Sequence, residues 1–206
     1  MEFHHNQTML VLASASPRRK ELLTRAGFDF TVMPGDIPEE PREGESPIAY
    51  VTRLAREKAE AVRAKLPDAD QRMILAADTT VVAPNGEILG KPVDDADAAR
   101  MLRLLSGATH QVATGVAVLA GEITEVAAEV TWVTFATVSD AEITAYIATG
   151  EPRDKAGAYG IQGAASRFIP RVDGCFFNVV GLPVALVASM IEGVKKQLTK
   201  SSAVAV

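Results

Sequence analysis

The stretch LVLASASPRRKELL, residues 10–23, constrains the fold most. Met9-Leu10-Val11-Leu12-Ala13 is a short apolar run of the kind that forms a buried strand. Ser16-Pro17 then reads as a helix start, with serine as N-cap and proline at the first helical position. Arg18 and Arg19 fall in the first helical turn, at the positive end of the helix dipole, where cations are unfavourable. Free helical N–H groups beside two guanidinium groups suit an anion, because helix N-termini bind phosphate and arginine adds bidentate hydrogen bonds. The alternative is a pair of solvated surface arginines.

The rest of the chain alternates strands and helices. Residues 28–32 are apolar and β-prone, and residues 36–45 form a polar, proline-rich loop. Ser46-Pro47 repeats the Ser-Pro helix start, for a helix over 48–66 that stops before Pro67. Residues 73–83 read as a strand turned by Asn85-Gly86, a strong hairpin signal. Asp94-Asp95 opens a helix running to Leu105 and closed by Gly107. The Val- and Thr-rich stretches 109–120 and 123–137, joined at Gly121-Glu122, predict a long hairpin. Ser139-Asp140-Ala141-Glu142 is a capping box for a helix to Ala148. A glycine-rich loop over 150–163, a short strand over 168–172 and a last helix over 183–198 complete the order. This predicts an α/β fold with a long mixed β-sheet instead of a strict βαβ array.

With 206 residues, 48% of them hydrophobic, the chain can bury one large core or form two small lobes around a cleft. A net charge of −5 argues against a nucleic-acid polymer as partner, though not against a small anion in a local basic pocket. Cys175 is the single cysteine, which excludes an internal disulfide or a Cys-rich zinc site and fits a reducing cytoplasm. No apolar run approaches the ~20 residues that span a bilayer, and no signal-peptide pattern opens the chain. The sequence predicts one domain over 9–198, with residues 1–8 (His4 and His5 included) and 199–206 as loose tails.

Four further segments carry chemistry. Asp78 stands in an apolar strand, Ala76-Ala77-Asp78-Thr79-Thr80, where a carboxylate costs several kcal/mol unless paired, hydrated or bound to a metal. A functional acid and a structural ion pair explain it equally well. Lys91 sits between Gly90 and Pro92 on a fixed loop, or is an ordinary surface lysine. Lys58 flanks the apolar stripe Val51, Leu54, Ala55, Ala59 and Val62 of its helix. Residues 158–163, Ala-Tyr-Gly-Ile-Gln-Gly, offer N–H groups, a ring and the Gln162 amide, as a ligand loop or a tight turn. Known phosphate motifs fail: residues 86–92 have the wrong glycine spacing for a P-loop and Pro92 where Ser or Thr must hold magnesium. There is no G-x-G-x-x-G and no G-x-S-x-G, and His110, among Thr and Val, reads as a structural hydrogen-bonder.

Taken together, Ser-Ala-Ser-Pro-Arg-Arg at 14–19, Arg-Glu-Lys-Ala at 56–59, Ala-Asp-Thr at 77–79, Gly-Lys-Pro at 90–92, Tyr-Gly-Ile-Gln-Gly at 159–163 and Val-Val-Gly-Leu-Pro at 179–183 resemble the Maf family. That family comprises nucleotide pyrophosphatases first named as septum-formation inhibitors. The resemblance runs from about residue 10 to about residue 191. It implies two α/β lobes around a central cleft, a relation to the inosine-triphosphate pyrophosphatases, and often a homodimer. It implies cleavage of a nucleoside triphosphate between the α and β phosphates, with a divalent metal cation such as Mg2+ or Mn2+. By motif, Asp78 is then the proton acceptor that activates water. Arg18, Thr79 and Gln162 bear on substrate selection, and Arg19, Lys58 and Lys91 hold the phosphates. Ser14 and Ser16 contribute hydroxyls or N–H groups. Glu39 resembles the acid near the metal, with Asp78 as the other metal-side carboxylate, although Pro38 departs from the family pattern and Glu40 is a neighbouring candidate.

Asp78-Thr79-Thr80 with Gln162 resembles the branch acting on dTTP and UTP, not the branch with Asp-Gln and a later Glu that acts on 7-methylguanosine triphosphate. A Gln amide offers both donor and acceptor to a uracil or thymine edge. A second hypothesis is a nucleotide-sensing regulator of cell division whose hydrolysis is incidental.

Overall fold

In the computed structural model, which describes residues 9–204, the opening apolar run is strand β1 (Met9–Leu12). Ser16 caps helix α1 (Pro17–Arg25), its hydroxyl accepting from the Arg19 N–H at 3.5 Å. The tail carrying His4 and His5, and the final two residues, lie outside the described residues. Strands β2 (Phe30–Val32) and β3 (Arg72–Val82) flank β1 in parallel. The predicted turn at Asn85-Gly86 returns a short antiparallel strand, β4 (Ile88–Leu89), onto β3. The long hairpin forms as β5 (Thr109–Ala120) and β6 (Ile123–Thr134), with β7 (Arg171–Asp173) at the far edge. The mixed sheet runs β2-β1-β3-β5-β6-β7, with β4 off this path on β3.

Helix α2 (Pro47–Arg63) covers one face: Ala55, Ala59 and Val62 pack on Val11, Ile74, Ala76 and Leu119. The other face carries the larger core, where Leu22 and Leu23 of α1 meet Leu10, Leu12, Met73, Leu75 and Ala77. Helices α3 (Asp95–Leu105), α4 (Asp140–Ile147) and α6 (Val184–Val204) add residues to that same core. Period-2 alternation along β3 divides its side chains between the two layers.

The sheet has a gap at its centre. β5 pairs with β3 without a break from Met73 to Val82. On the opposite edge of β3, β1 pairs only as far as Leu75, and pairing with β4 begins at Val81. Among the described residues no strand pairs with residues 76–80 on that edge. Asp78 therefore faces α2 and Thr79 faces the opposite layer, yet both border the same opening.

Gly115 sits opposite Asp78 in the β3–β5 register. A Cβ at Gly115 would fall on the Val51 carbonyl of α2, so only glycine allows α2 to lie this close beside Asp78.

Several boundaries differ from the sequence reading: α2 ends at Arg63, short of 66, β6 ends at Thr134, short of 137, and β2 begins at Phe30, not 28. The last helix continues to Val204, past Leu198, because no glycine or proline follows to stop it. The final strand is Arg171–Asp173, not 168–172, because Pro170 has no N–H for a ladder and Phe168 turns into the core beside Tyr146 and Phe135. Short helix α5 (Phe176–Val180) occupies a stretch without a helical period, and the loop over 150–163 contains the 3-10 turns Glu151–Asp154 and Ala156–Ala158.

Gly115→Ala should destabilise the fold by about 1–3 kcal/mol, the usual cost of overpacking a core contact. Urea denaturation measures it; an unchanged midpoint would mean that α2 does not rest on this glycine.

Candidate active site

A cavity of about 660 Å³ opens at the gap in the sheet. Ser14, Ser16, Arg18, Arg19, Glu39, Lys58, Asp78, Thr79, Lys91 and Gln162, residues far apart in sequence, all line it. Glu40 does not; its carbonyl accepts from Arg53 Nη2 at 3.1 Å instead.

Asp78 and Lys58 are both buried, and Lys58 Nζ donates to Asp78 Oδ1 at 2.6 Å. Lys58 Nζ also pairs with the Glu39 carboxylate, so one ammonium bridges two acids. The bridge depends on local backbone. A Cβ at Gly35 would fall on the Lys58 carbonyl oxygen, so glycine lets the loop carrying Glu39 fold against α2. Tyr50 on α2 then donates to the Glu39 carbonyl at 2.8 Å.

The electrostatics separate the two acids. Burial pushes the Asp78 carboxyl above its ordinary value, and it outweighs the opposing charges of Lys58 and Arg19. Glu39 goes the other way. Its partial burial acts upward, but the Lys58 hydrogen bond and the charges of Lys58, Lys91 and Arg19 hold it below the usual carboxylate range. Burial, reinforced by Asp78 and Glu39, pushes the Tyr50 phenol up to about 12.

Across the sheet, Arg19 is built into the wall. Its Nε donates to the Gly181 carbonyl at 2.8 Å, Nη1 to Ser14 Oγ at 3.3 Å and Nη2 to Thr79 Oγ1 at 3.1 Å. Thr79 Oγ1 also shares a hydrogen bond with Thr114 Oγ1 at 2.9 Å. Much of the Arg19 fork is thus committed inside the protein while its charge faces the cavity. Arg18 is more open and pairs with Asp154 at 2.9 Å. Lys91 and Gln162 sit exposed at the rim.

Sequence reasoning missed Tyr50, Glu151, Asp154 and Lys155, which line the same cavity. The available signal was the cluster of charges at 151, 154 and 155 just ahead of the Tyr159–Gly163 motif. His110 takes no part in the cavity lining. Its Nε2 bonds Tyr159 Oη at 2.8 Å, and burial pulls its pKa down to about 4, which keeps the ring neutral.

Among the described residues there is no group of three or more His, Cys, Asp or Glu that could cage a metal. The donor set at the gap is two carboxylates, Asp78 and Glu39, with no His or Cys. Such a set fits a hard cation that arrives with a substrate and completes its shell from phosphate and water, as Mg2+ commonly does.

A family model described as "Maf: Maf-like protein" matches residues 9–194. A Koribacter versatilis protein named dTTP/UTP pyrophosphatase is 54% identical over 182 residues, covering 88% of this chain and 92% of that protein. Its namesakes from Geobacter sulfurreducens and Salmonella typhimurium are each 55% identical, the first covering 85% of this chain and 91% of its own, the second 86% and 88%. Among solved structures, the Staphylococcus aureus Ham1 protein superposes with a TM-score of 0.52 at 15% identity, over 90% of this chain and 99% of that one. That likeness concerns the fold alone.

The bridge makes a direct prediction. Lys58 pulls both carboxyl pKa values down, so Lys58→Gln should raise the Asp78 midpoint further and bring Glu39 up toward its ordinary value. Carboxyl 13C NMR titration reads both. If both midpoints stay where they are, Lys58 does not stand between the acids.

Proposed function

The chain belongs to the Maf family, and we propose that it is a nucleoside triphosphate pyrophosphatase that hydrolyses dTTP and UTP to the monophosphate and pyrophosphate. The observation that carries this reading is Asp78, a buried carboxylate with a raised pKa at the edge of a cavity lined by Arg18, Arg19, Lys58 and Lys91. A triphosphate needs such cations, and water needs such a base. The names of relatives more than half identical in sequence support the same activity. A nucleotide-sensing regulator is not favoured, because those relatives are named for hydrolysis.

In this mechanism the triphosphate lies across the gap in the sheet. Lys58 and Lys91 contact its phosphates, Ser14 and Ser16 supply hydroxyl or N–H groups, and Arg19 acts mainly as a fixed positive wall. Asp78 takes a proton from the attacking water, the anhydride bond between the α and β phosphates breaks, and pyrophosphate leaves. The upward-shifted pKa makes Asp78 a stronger base than an exposed aspartate. Asp78 and Glu39 would hold a divalent cation, Mg2+ or Mn2+, that polarises the water and offsets phosphate charge when bound. As the phosphate approaches, Lys58 can exchange part of its contact with Glu39 for phosphate oxygens.

Base choice falls to Gln162, Arg18 and Thr79. The exposed Gln162 amide offers a donor and an acceptor to the edge of uracil or thymine. Thr79, whose hydroxyl is bound to Arg19 and Thr114, contributes by shaping the wall. We further propose a cytoplasmic enzyme, working as a homodimer, without a nucleic-acid or membrane partner. Among the described residues no helix is long and apolar enough to cross a membrane.

Asp78→Asn should cut kcat at least ~100-fold, the scale of a lost general base, while UTP still binds. In the wild type kcat/KM should fall as pH drops through a midpoint above the ordinary aspartate value of 3.8, because a protonated Asp78 cannot accept a proton. Steady-state kinetics and calorimetric binding decide; near-normal turnover in the variant removes Asp78 from the mechanism.

Phosphorus NMR of a UTP reaction should reveal the monophosphate and pyrophosphate as first products, and excess EDTA should stop turnover. Nucleoside diphosphate with phosphate would mean a different reaction. Across a nucleotide panel, dTTP and UTP should exceed GTP and ATP by about two orders of magnitude in kcat/KM, the effect of about two unmatched buried hydrogen bonds. Gln162→Glu should narrow that gap.

A further inference from the structure

Asp154 connects two parts of the cavity that are far apart in sequence. Its Oδ2 accepts from Arg18 Nη1 at 2.9 Å, and its Oδ1 accepts from Lys155 Nζ at 2.6 Å. Its backbone carbonyl also accepts from Arg18 Nη2 at 3.5 Å. Arg18 belongs to α1 and Asp154 to the 3-10 turn Glu151–Asp154, so the contact ties the helix start to the opposite rim of the cavity.

The same group of charges holds the turn that carries Gln162. Lys155 Nζ donates to the Glu151 carbonyl at 2.7 Å, and a Cβ at Gly160 would stand 2.7 Å from Lys155 Cε. A Cβ at Gly163 would fall on the Glu151 carboxylate, so glycine lets the turn rest directly on it. Glu151 Oε2 accepts from the Ala164 N–H at 2.9 Å, and Oε1 accepts from Tyr146 Oη at 2.9 Å. Tyr146 Oη in turn accepts from the Gly160 N–H at 3.1 Å. A continuous line of contacts therefore runs from Arg18 through Asp154, Lys155 and Glu151 to both ends of the Gly160–Gly163 turn.

We propose that Asp154 is a positioning residue for nucleobase selection: it sets the Arg18 guanidinium and, through Lys155 and Glu151, the turn bearing Gln162, so that these two side chains read the base as one unit. The inference rests on the reading of this cavity as a nucleoside triphosphate site. Partial burial acts to raise the Asp154 pKa, but Lys155 and Arg18 outweigh it and hold the carboxyl at about 2, so the charge that joins the two rims persists through the neutral range. The Asp154 side chain is 62% exposed, and exposed ion pairs add little to stability. Loss of its charge should thus change geometry at the base without unfolding the chain. Arg18 and Lys155 would each keep their charge, so phosphate attraction should persist.

The test uses the full chain with Asp154→Asn and Asp154→Glu. It reads kcat/KM for UTP and GTP, inhibition by tripolyphosphate as a base-free probe, and thermal melting. Asp154→Asn should lower the UTP-over-GTP ratio about ten-fold, the worth of roughly one matched hydrogen bond. Tripolyphosphate inhibition and melting should stay near wild type, and Asp154→Glu should recover part of the ratio. In an Arg18→Ala background, Asp154→Asn should change the ratio less than it does alone. An unchanged ratio in Asp154→Asn overturns the inference. So does an equal loss of tripolyphosphate and UTP, which would make Asp154 a modulator of charge on the phosphates. A wild-type chain that releases no pyrophosphate from UTP overturns the underlying reading, and the wild-type control registers that separately.

Discussion

The contact between Lys58 Nζ and Asp78 Oδ1 is the interaction on which this molecule turns. A buried carboxylate in an apolar strand is costly, and removing one partner of such a pair typically costs about 3–5 kcal/mol. The surrounding fold is arranged to supply that partner. Gly115 lets α2 lie on the sheet opposite Asp78, and Gly35 lets the following loop lie on Lys58. Glu39 then shares the ammonium. The pair is imperfectly balanced, since burial of Asp78 outweighs its cations. On the proposed reading, that imbalance is what would let Asp78 serve as a base.

The second constraint is the interrupted edge of β3. In a continuous sheet Asp78 and Thr79 would serve separate layers, one on each face. Because β1 pairs with β3 only as far as Leu75 and β4 only from Val81, both faces meet in one cavity. The acid and its lysine approach from the α2 side. The Arg19–Thr79–Thr114 group approaches from the other. A nucleotide bridging the gap would therefore meet two chemically different walls, one with Lys58 held between two carboxylates, the other with the fixed guanidinium of Arg19.

Much of this was legible in the sequence because the signals were local. Ser16-Pro17, Ser46-Pro47 and the Ser139 capping box each carry their own helix start, and the Val/Thr-rich hairpin its own period. The ordered motifs identified the residues that line the cavity. What stayed hidden depends on long-range packing. Nothing local to Lys58 says that it bridges Glu39 and Asp78, nor to Arg19 that its fork is spent on Ser14, Thr79 and Gly181. Asp154 and Lys155 read as ordinary loop charges until the fold brings Arg18 beside them. The 3-10 turns of that loop and short helix α5 lack the length over which a hydrophobic period can be read.

The central claim, that one nucleotide spans the gap in the sheet with its reacting phosphates beside Asp78, is tested most directly by a crystal structure of Asp78→Asn soaked with UTP and Mg2+. The account predicts the triphosphate against Lys58 and Lys91, with the uracil edge at Gln162. It also predicts a water within roughly 3 Å of the residue 78 side chain, on the phosphate side, since a general base must lie in hydrogen-bond reach of its proton. A nucleotide seated on one face of the sheet alone, with its phosphates away from residue 78, would contradict it.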